Sequence, residues 1–124
     1  MAQVGDVFRF VSNQVLGNSA KPKFHVAIDL NCGFFLFINS DPNSGAMEID
    51  QSDWPTMPKQ VSYISCNAGV RYRRADFHGV SIQPAGALSR PCLKRLRQHI
   101  HESFVMPQVD IDLAIAALDS ALSG

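Results

Sequence analysis

The stretch KPKFHVAIDLNCGFFLFINS, Lys21 to Ser40, constrains the fold more than any other part of the chain. Phe24, Val26 and Ile28 alternate with Lys23, His25, Ala27 and Asp29, the period-two pattern of a strand with one buried face. Phe34 to Ile38 is apolar throughout. Such a strand has to be covered on both faces, which places it centrally in a sheet. The intervening Asn31-Cys32-Gly33 is short enough for a hairpin, with Gly33 free to take a positive φ. The hairpin would gather polar residues at its open end. Lys21 and Lys23 stand where the first strand enters; Asn39, Ser40 and Asp41 stand where the second leaves. A basic group and a hydroxyl at the end of a core strand pair make a candidate site.

Around this hairpin the pattern predicts further short strands. Val4 to Ser12 reads as the first, launched by Gly5-Asp6, and Asn13 to Ala20 as a polar loop with Gly17, Asn18 and Ser19. Ser40 to Gly45 is a turn signal, and Ala46 to Asp50 a short strand. Trp54-Pro55 and Met57-Pro58 exclude a central strand from Gln51 to Lys59. Val61 to Cys66 alternates again, and Val70 to Arg73 and Phe77 to Ile82 read as two more strands. Helices come last. Ser89 is a good N-cap, Pro91 suits a first turn, and Leu93, Leu96, Ile100 and Phe104 recur at helical spacing. After Pro107, Asp110 reads as the cap of a second helix with Ile111, Ile115, Leu118 and Leu122 in one stripe. The expected fold is mainly β (α+β): one small barrel from about residue 4 to 88, then helices over about 89–104 and 110–122.

The 124 residues suit a single domain, 1–124, with one core. The longest apolar run is too short to span a bilayer, so no membrane is expected. The first residues lack the charged and apolar regions of a secretory signal. Three cysteines, Cys32, Cys66 and Cys92, without CxxC spacing, read as buried thiols in a reducing compartment. A cytoplasmic location is the expectation. Formal net charge is zero, so nothing global drives the chain toward nucleic acid. Local clusters remain: Arg71, Arg73 and Arg74, and Arg90, Lys94, Arg95 and Arg97. Each reads first as a solvated face and only second as a phosphate contact.

The order of these elements resembles the MazF/PemK-like toxins of bacterial toxin–antitoxin pairs, from about Val4 to about Phe104. Gly5-Asp6-Val7 is similar to that family's opening G-D-[IV]. Lys23 stands ahead of Val26-Ala27-Ile28 as a basic residue stands ahead of the family's V-x-[VI] strand, and Asn39-Ser40 falls where the family has a strand ending in Thr or Ser. Tyr63-Ile64-Ser65-Cys66-Asn67 with Val70-Arg71 is similar to its S-V-V-N-C-D-Q-I-R segment; Gly86-Ala87-Leu88-Ser89, then Leu93, Leu96 and Ile100, is similar to its G-x-L-S helix opening. The resemblance implies an SH3-like barrel and a homodimeric endoribonuclease. It would cut single-stranded RNA without metal or other cofactor and would be held in check by an acidic antitoxin peptide. It assigns phosphate binding to Lys23 and positioning to Ser40. The chain has Lys where the family has Arg, a point charge instead of a planar fork.

Further candidates follow from the residues. His25 projects from the Lys23 face, about 6.6 Å along the strand. It reads either as the carrier of protons or as a half-buried histidine bonded to a backbone carbonyl. Ser40 either handles phosphate or caps the Asp41-Pro42 turn. Trp54 either stacks on a base or plugs the barrel end. Tyr72 among Arg71, Arg73 and Arg74 interleaves aromatic and basic groups, an RNA-contact pattern, with Lys21 as a further basic contact. The alternative for the whole chain is a non-catalytic barrel that binds RNA or protein.

Overall fold

The computed structural model describes residues 2–13 and 21–123. Residues 14–20, most of the expected polar loop, lie outside the described residues. Among the described residues, seven antiparallel strands form a curled half-barrel sheet, followed by two helices. The strands are β1 (Asp6–Phe10), β2 (Lys23–Asp29), β3 (Phe34–Asn39), β4 (Met47–Asp50), β5 (Val61–Ile64), β6 (Val70–Arg71) and β7 (Gln83–Ala87). The sheet order is β4-β5-β3-β2-β1-β7, with β6 also pairing with β3. The expected fold class is therefore found: α+β, strands first, helices last.

The β2–β3 hairpin sits at the centre, as the two-faced apolar run of β3 requires. Gly33 closes it at φ +64, and a Cβ there would lie 2.1 Å from the Tyr72 carbonyl oxygen. Strand alternation then gives the sheet two different faces. Val7, Val26, Ile28, Phe34, Leu36 and Ile38 lie in the larger core with the helices. Phe10, Ala27, Phe35 and Tyr72 form a second cluster, with Phe8, Val70, Phe77 and Val80 packed against it.

β4 and β7 are the two edges of the sheet, and a loop bridges them. Trp54 Nε1–H and Thr56 Oγ1–H both donate to the Ala85 carbonyl, at 2.7 and 2.6 Å. Ser89 N–H donates to the Asp53 carbonyl at 2.8 Å. The proline-flanked loop thus closes side by side what strand pairing leaves open. Gly86, at φ +97, permits this approach: a Cβ there would stand 2.1 Å from Thr56 Oγ1.

Helix α1 (Arg90–His101) begins as predicted, with the Ser89 hydroxyl accepting from Cys92 N–H. Cys92, Leu93, Leu96 and Ile100 are its buried stripe. Phe104, expected in that stripe, lies past the helix end and is fully exposed. Helix α2 (Gln108–Leu122) has Pro107 at its N-cap position, so Asp110 is inside its first turn and is not its cap. The Asp110 carboxylate instead accepts from Arg71 Nη2 at 2.7 Å and from Gly69 N–H. The strand expected over Phe77 to Ile82 is replaced by a 3-10 turn, Arg74–Phe77, with the next strand starting at Gln83. The Asp76 carboxylate accepts from Arg73 N–H and tightens that turn. Cys66 and Cys92 are buried as expected, and burial pushes both thiols up to about 12; Cys32 is exposed on the hairpin turn. No described helix is long and apolar enough to cross a membrane.

Candidate functional site

The open end of the β2–β3 hairpin brings the two residues of the sequence reading to one rim. Phe24 pairs with Ile38, which sets Lys23 across from Asn39. Lys23 Nζ donates to Asn39 Oδ1 at 3.3 Å and lies 5.3 Å from the centre of the Phe37 ring. Ser40 follows just past the end of β3, and its Oγ accepts from Lys59 Nζ at 2.8 Å. Two ammonium groups therefore hold the neighbouring side chains Asn39 and Ser40. Ser40, Lys59 and the nearby Asp41 are exposed; Lys23 is half-buried. This strand end thus carries two lysine ammonium groups, one on an amide oxygen and one on a hydroxyl, with Asp41 next in the chain. Lys59 was not singled out by the sequence. Its only signal there is that it ends the proline-rich loop, 19 residues from its partner.

His25 does not belong to this exposed rim. Its ring is wholly enclosed, stacked on Phe10 at 3.8 Å and met by Phe35 and Phe37. Both nitrogens are used. The Lys23 carbonyl can only accept, so Nδ1–H donates to it at 2.9 Å, which assigns the tautomer. Nε2 is then bare and accepts the Tyr72 hydroxyl at 2.8 Å. The Tyr72 oxygen in turn accepts from Ser12 Oγ–H at 2.6 Å. Desolvation outweighs the Lys23 carbonyl bond and pushes the imidazole down to about 4, with the Lys23 charge adding to the fall. His25 cannot touch a substrate at the surface. The proton-carrying role expected for it is corrected here, and the backbone-bonded alternative is what the chain adopts.

The other RNA-contact candidates divide sharply. Trp54 is sealed, with an edge-on Phe24 ring at 5.0 Å, and is the barrel plug and not a stacking platform. Tyr72 is also buried, its hydroxyl committed to His25 and Ser12. Arg71 is bound to Asp110 and lies over the Phe34 ring at 5.6 Å, fastening β6 to α2. Lys21, Arg73 and Arg74 are exposed and keep their charge at the surface. The alternation at 71–74 signalled an aromatic–basic surface but could not say that Tyr72 turns inward.

Among the described residues, no group of three or more His, Cys, Asp or Glu side chains is placed to hold a metal ion. The fold is a small α+β half-barrel with two lysines at the open end of its central hairpin. No known family profile and no curated protein matches the chain.

Proposed function

We propose that this chain is the toxin of a toxin–antitoxin pair, an endoribonuclease acting on single-stranded RNA in the cytoplasm. The observation that carries the reading is the presence of two lysines at this strand end, Lys23 on Asn39 and Lys59 on Ser40. A phosphodiester seated there would displace the Asn39 and Ser40 contacts from the two ammonium groups. In the proposed step the RNA 2′-oxygen attacks phosphorus, the bond to the 5′-oxygen breaks, and a 2′,3′-cyclic phosphate is left. Water takes the 2′-hydroxyl proton and returns one to the departing 5′-oxygen. Lys23 and Lys59 offset the charge that builds on the phosphoryl oxygens, and Ser40 orients them. Lys21, Arg73 and Arg74 extend the positive surface along a strand. An acidic antitoxin peptide would compete for the same charges, and a homodimer would present two such rims.

A second reading is a non-catalytic RNA-binding barrel. The enclosure of His25 favours it, because the proton carrier expected from the sequence is out of reach of a substrate. One experiment separates the two. Labelled single-stranded RNA is incubated in EDTA with the wild type and with Lys23→Ala. Cleavage that falls at least about ten-fold in the variant supports the enzyme, a loss of about 1.4 kcal/mol in transition-state stabilisation. Binding without turnover supports the second reading. Equal cleavage by both proteins, or neither cleavage nor binding, removes the assignment to this rim.

A further inference from the structure

Holding a phosphodiester makes no use of the buried chain Ser12–Tyr72–His25, which ends on the Lys23 backbone carbonyl. Tyr72 opens the segment 72–80, which crosses back over the aromatic face of the sheet. Within that segment Asp76 N–H donates to the Arg73 carbonyl, His78 N–H to Ala75 and Val80 N–H to Phe77, so these bonds shape the cover without fastening it. Among the described residues, the cover is fastened by the Tyr72 N–H on the Gly33 carbonyl (2.9 Å), the Tyr72 hydroxyl between His25 Nε2 and Ser12 Oγ, the Asn13 Nδ2–H on the Asp76 carboxylate, and ring contacts of Tyr72 and Phe77 with Phe10 and Phe35.

The charges around His25 are unbalanced. From its own strand it faces the like-charged Lys23. β1 offers Phe10, and β3 offers Phe35 and Phe37, none of them charged. The cover offers the Tyr72 hydroxyl. One carboxylate, Asp76, acts on Tyr72, and it is already bonded to Asn13 Nδ2 and Arg73 N–H. A proton on Nε2 would create an imidazolium with no carboxylate to meet it and no bare nitrogen to accept Tyr72.

We propose that the His25–Tyr72 bond is an acid-released latch: neutral, His25 accepts the tyrosine and keeps the 72–80 cover closed; protonated, it drives the cover open to bring its charge to water. The Nδ1–H bond to the Lys23 carbonyl survives protonation, so the end of β2 that carries Lys23 stays in place while the cover opens.

The test uses the whole chain without RNA. Amide hydrogen exchange is followed by NMR from pH 7.5 to 4, corrected for intrinsic rates, alongside titration of the His25 ring. The expected result is an acid step in which Tyr72 and Val80 amides lose protection at least ten-fold as His25 protonates, while Leu96 and Ile100 amides hold. His25→Gln keeps an acceptor for Tyr72 but cannot ionise, and should abolish the step. A step unchanged in His25→Gln, a cover that stays closed while the ring titrates, or all amides opening together would overturn the latch. Should the variant not fold, the coincidence or separation of ring titration and cover exchange in the wild type decides the matter. RNA affinity is read in a separate arm, so failure to bind RNA would remove the functional reading and leave the latch standing.

Discussion

The two faces of the sheet solve the same packing problem with different materials. On the helix side, Val7, Val26, Ile28, Leu36, Ile64, Leu96, Ile100 and Leu118 make a mostly aliphatic layer, all nearly or fully sealed from solvent. On the other side, Phe10, Phe35, Phe37 and Tyr72 surround an imidazole bonded at both nitrogens. The first layer has nothing in it to titrate near neutrality. The second contains a group whose charge burial forbids, beside the strand end that carries Lys23. Stability and responsiveness are therefore divided between the faces. The helix face sets how firmly the chain folds, and the aromatic face sets how that stability depends on solution conditions.

The sharpest way to break this division is to damage each face and vary pH. Leu96→Ala removes a fully buried side chain from the helix face and should cost about 2–5 kcal/mol, by an amount that pH does not change. Denaturant unfolding of wild type and variant at pH 7.5 and 5 measures it; a loss that varied strongly with pH would place titrating groups on the wrong face.

The next effect belongs to His25. Its folded value of about 4 lies below the ordinary 6.5, so the unfolded chain takes up a proton first as pH falls. Stability is full above about pH 6.5, declines through the interval, and flattens below about pH 4, a loss of about 3 kcal/mol. The same unfolding experiment on His25→Gln should lack this decline. An identical decline in the variant would assign it to other groups.

The smallest effect on stability is expected at the rim, where Lys59→Ala should change folding by no more than about 0.5 kcal/mol. If Lys59 contacts a phosphate, RNA affinity in the variant should lose about 0.7 from its salt slope. An unchanged slope would leave Lys23 as the single cation of the site.

Much of this architecture can be read from residue order. Alternation in Lys23–Asp29 and the unbroken apolar run of Phe34–Ile38 specify the central hairpin, and hairpin geometry then brings Lys23 near Ser40. The Ser89 cap and the Leu93, Leu96 and Ile100 spacing specify α1. Features that depend on contacts between distant segments were not readable. Trp54 and Thr56 meet Ala85 across about thirty residues, and Pro55 and Pro58 announce only that no central strand runs there. Alternation puts His25 on the Lys23 face, but nothing local says that residues 72–80 return to cover it. The 3-10 turn at Arg74–Phe77 displaced an expected strand because Asp76 caps a turn, a local hydrogen bond that a short apolar pattern hides. Phe104 kept helical spacing but fell beyond the last turn, where spacing no longer implies burial.

The central claim is that the function resides at the open end of the hairpin and not on the helices. Titrating a short single-stranded RNA into the isotope-labelled chain and recording backbone amide shifts tests it directly. The shifts are expected to concentrate at Lys23, Asn39, Ser40 and Lys59 and to weaken with added salt. Shifts gathered instead on Arg90, Lys94 and Arg97, or on the exposed Phe104–Val109 tip, would contradict it.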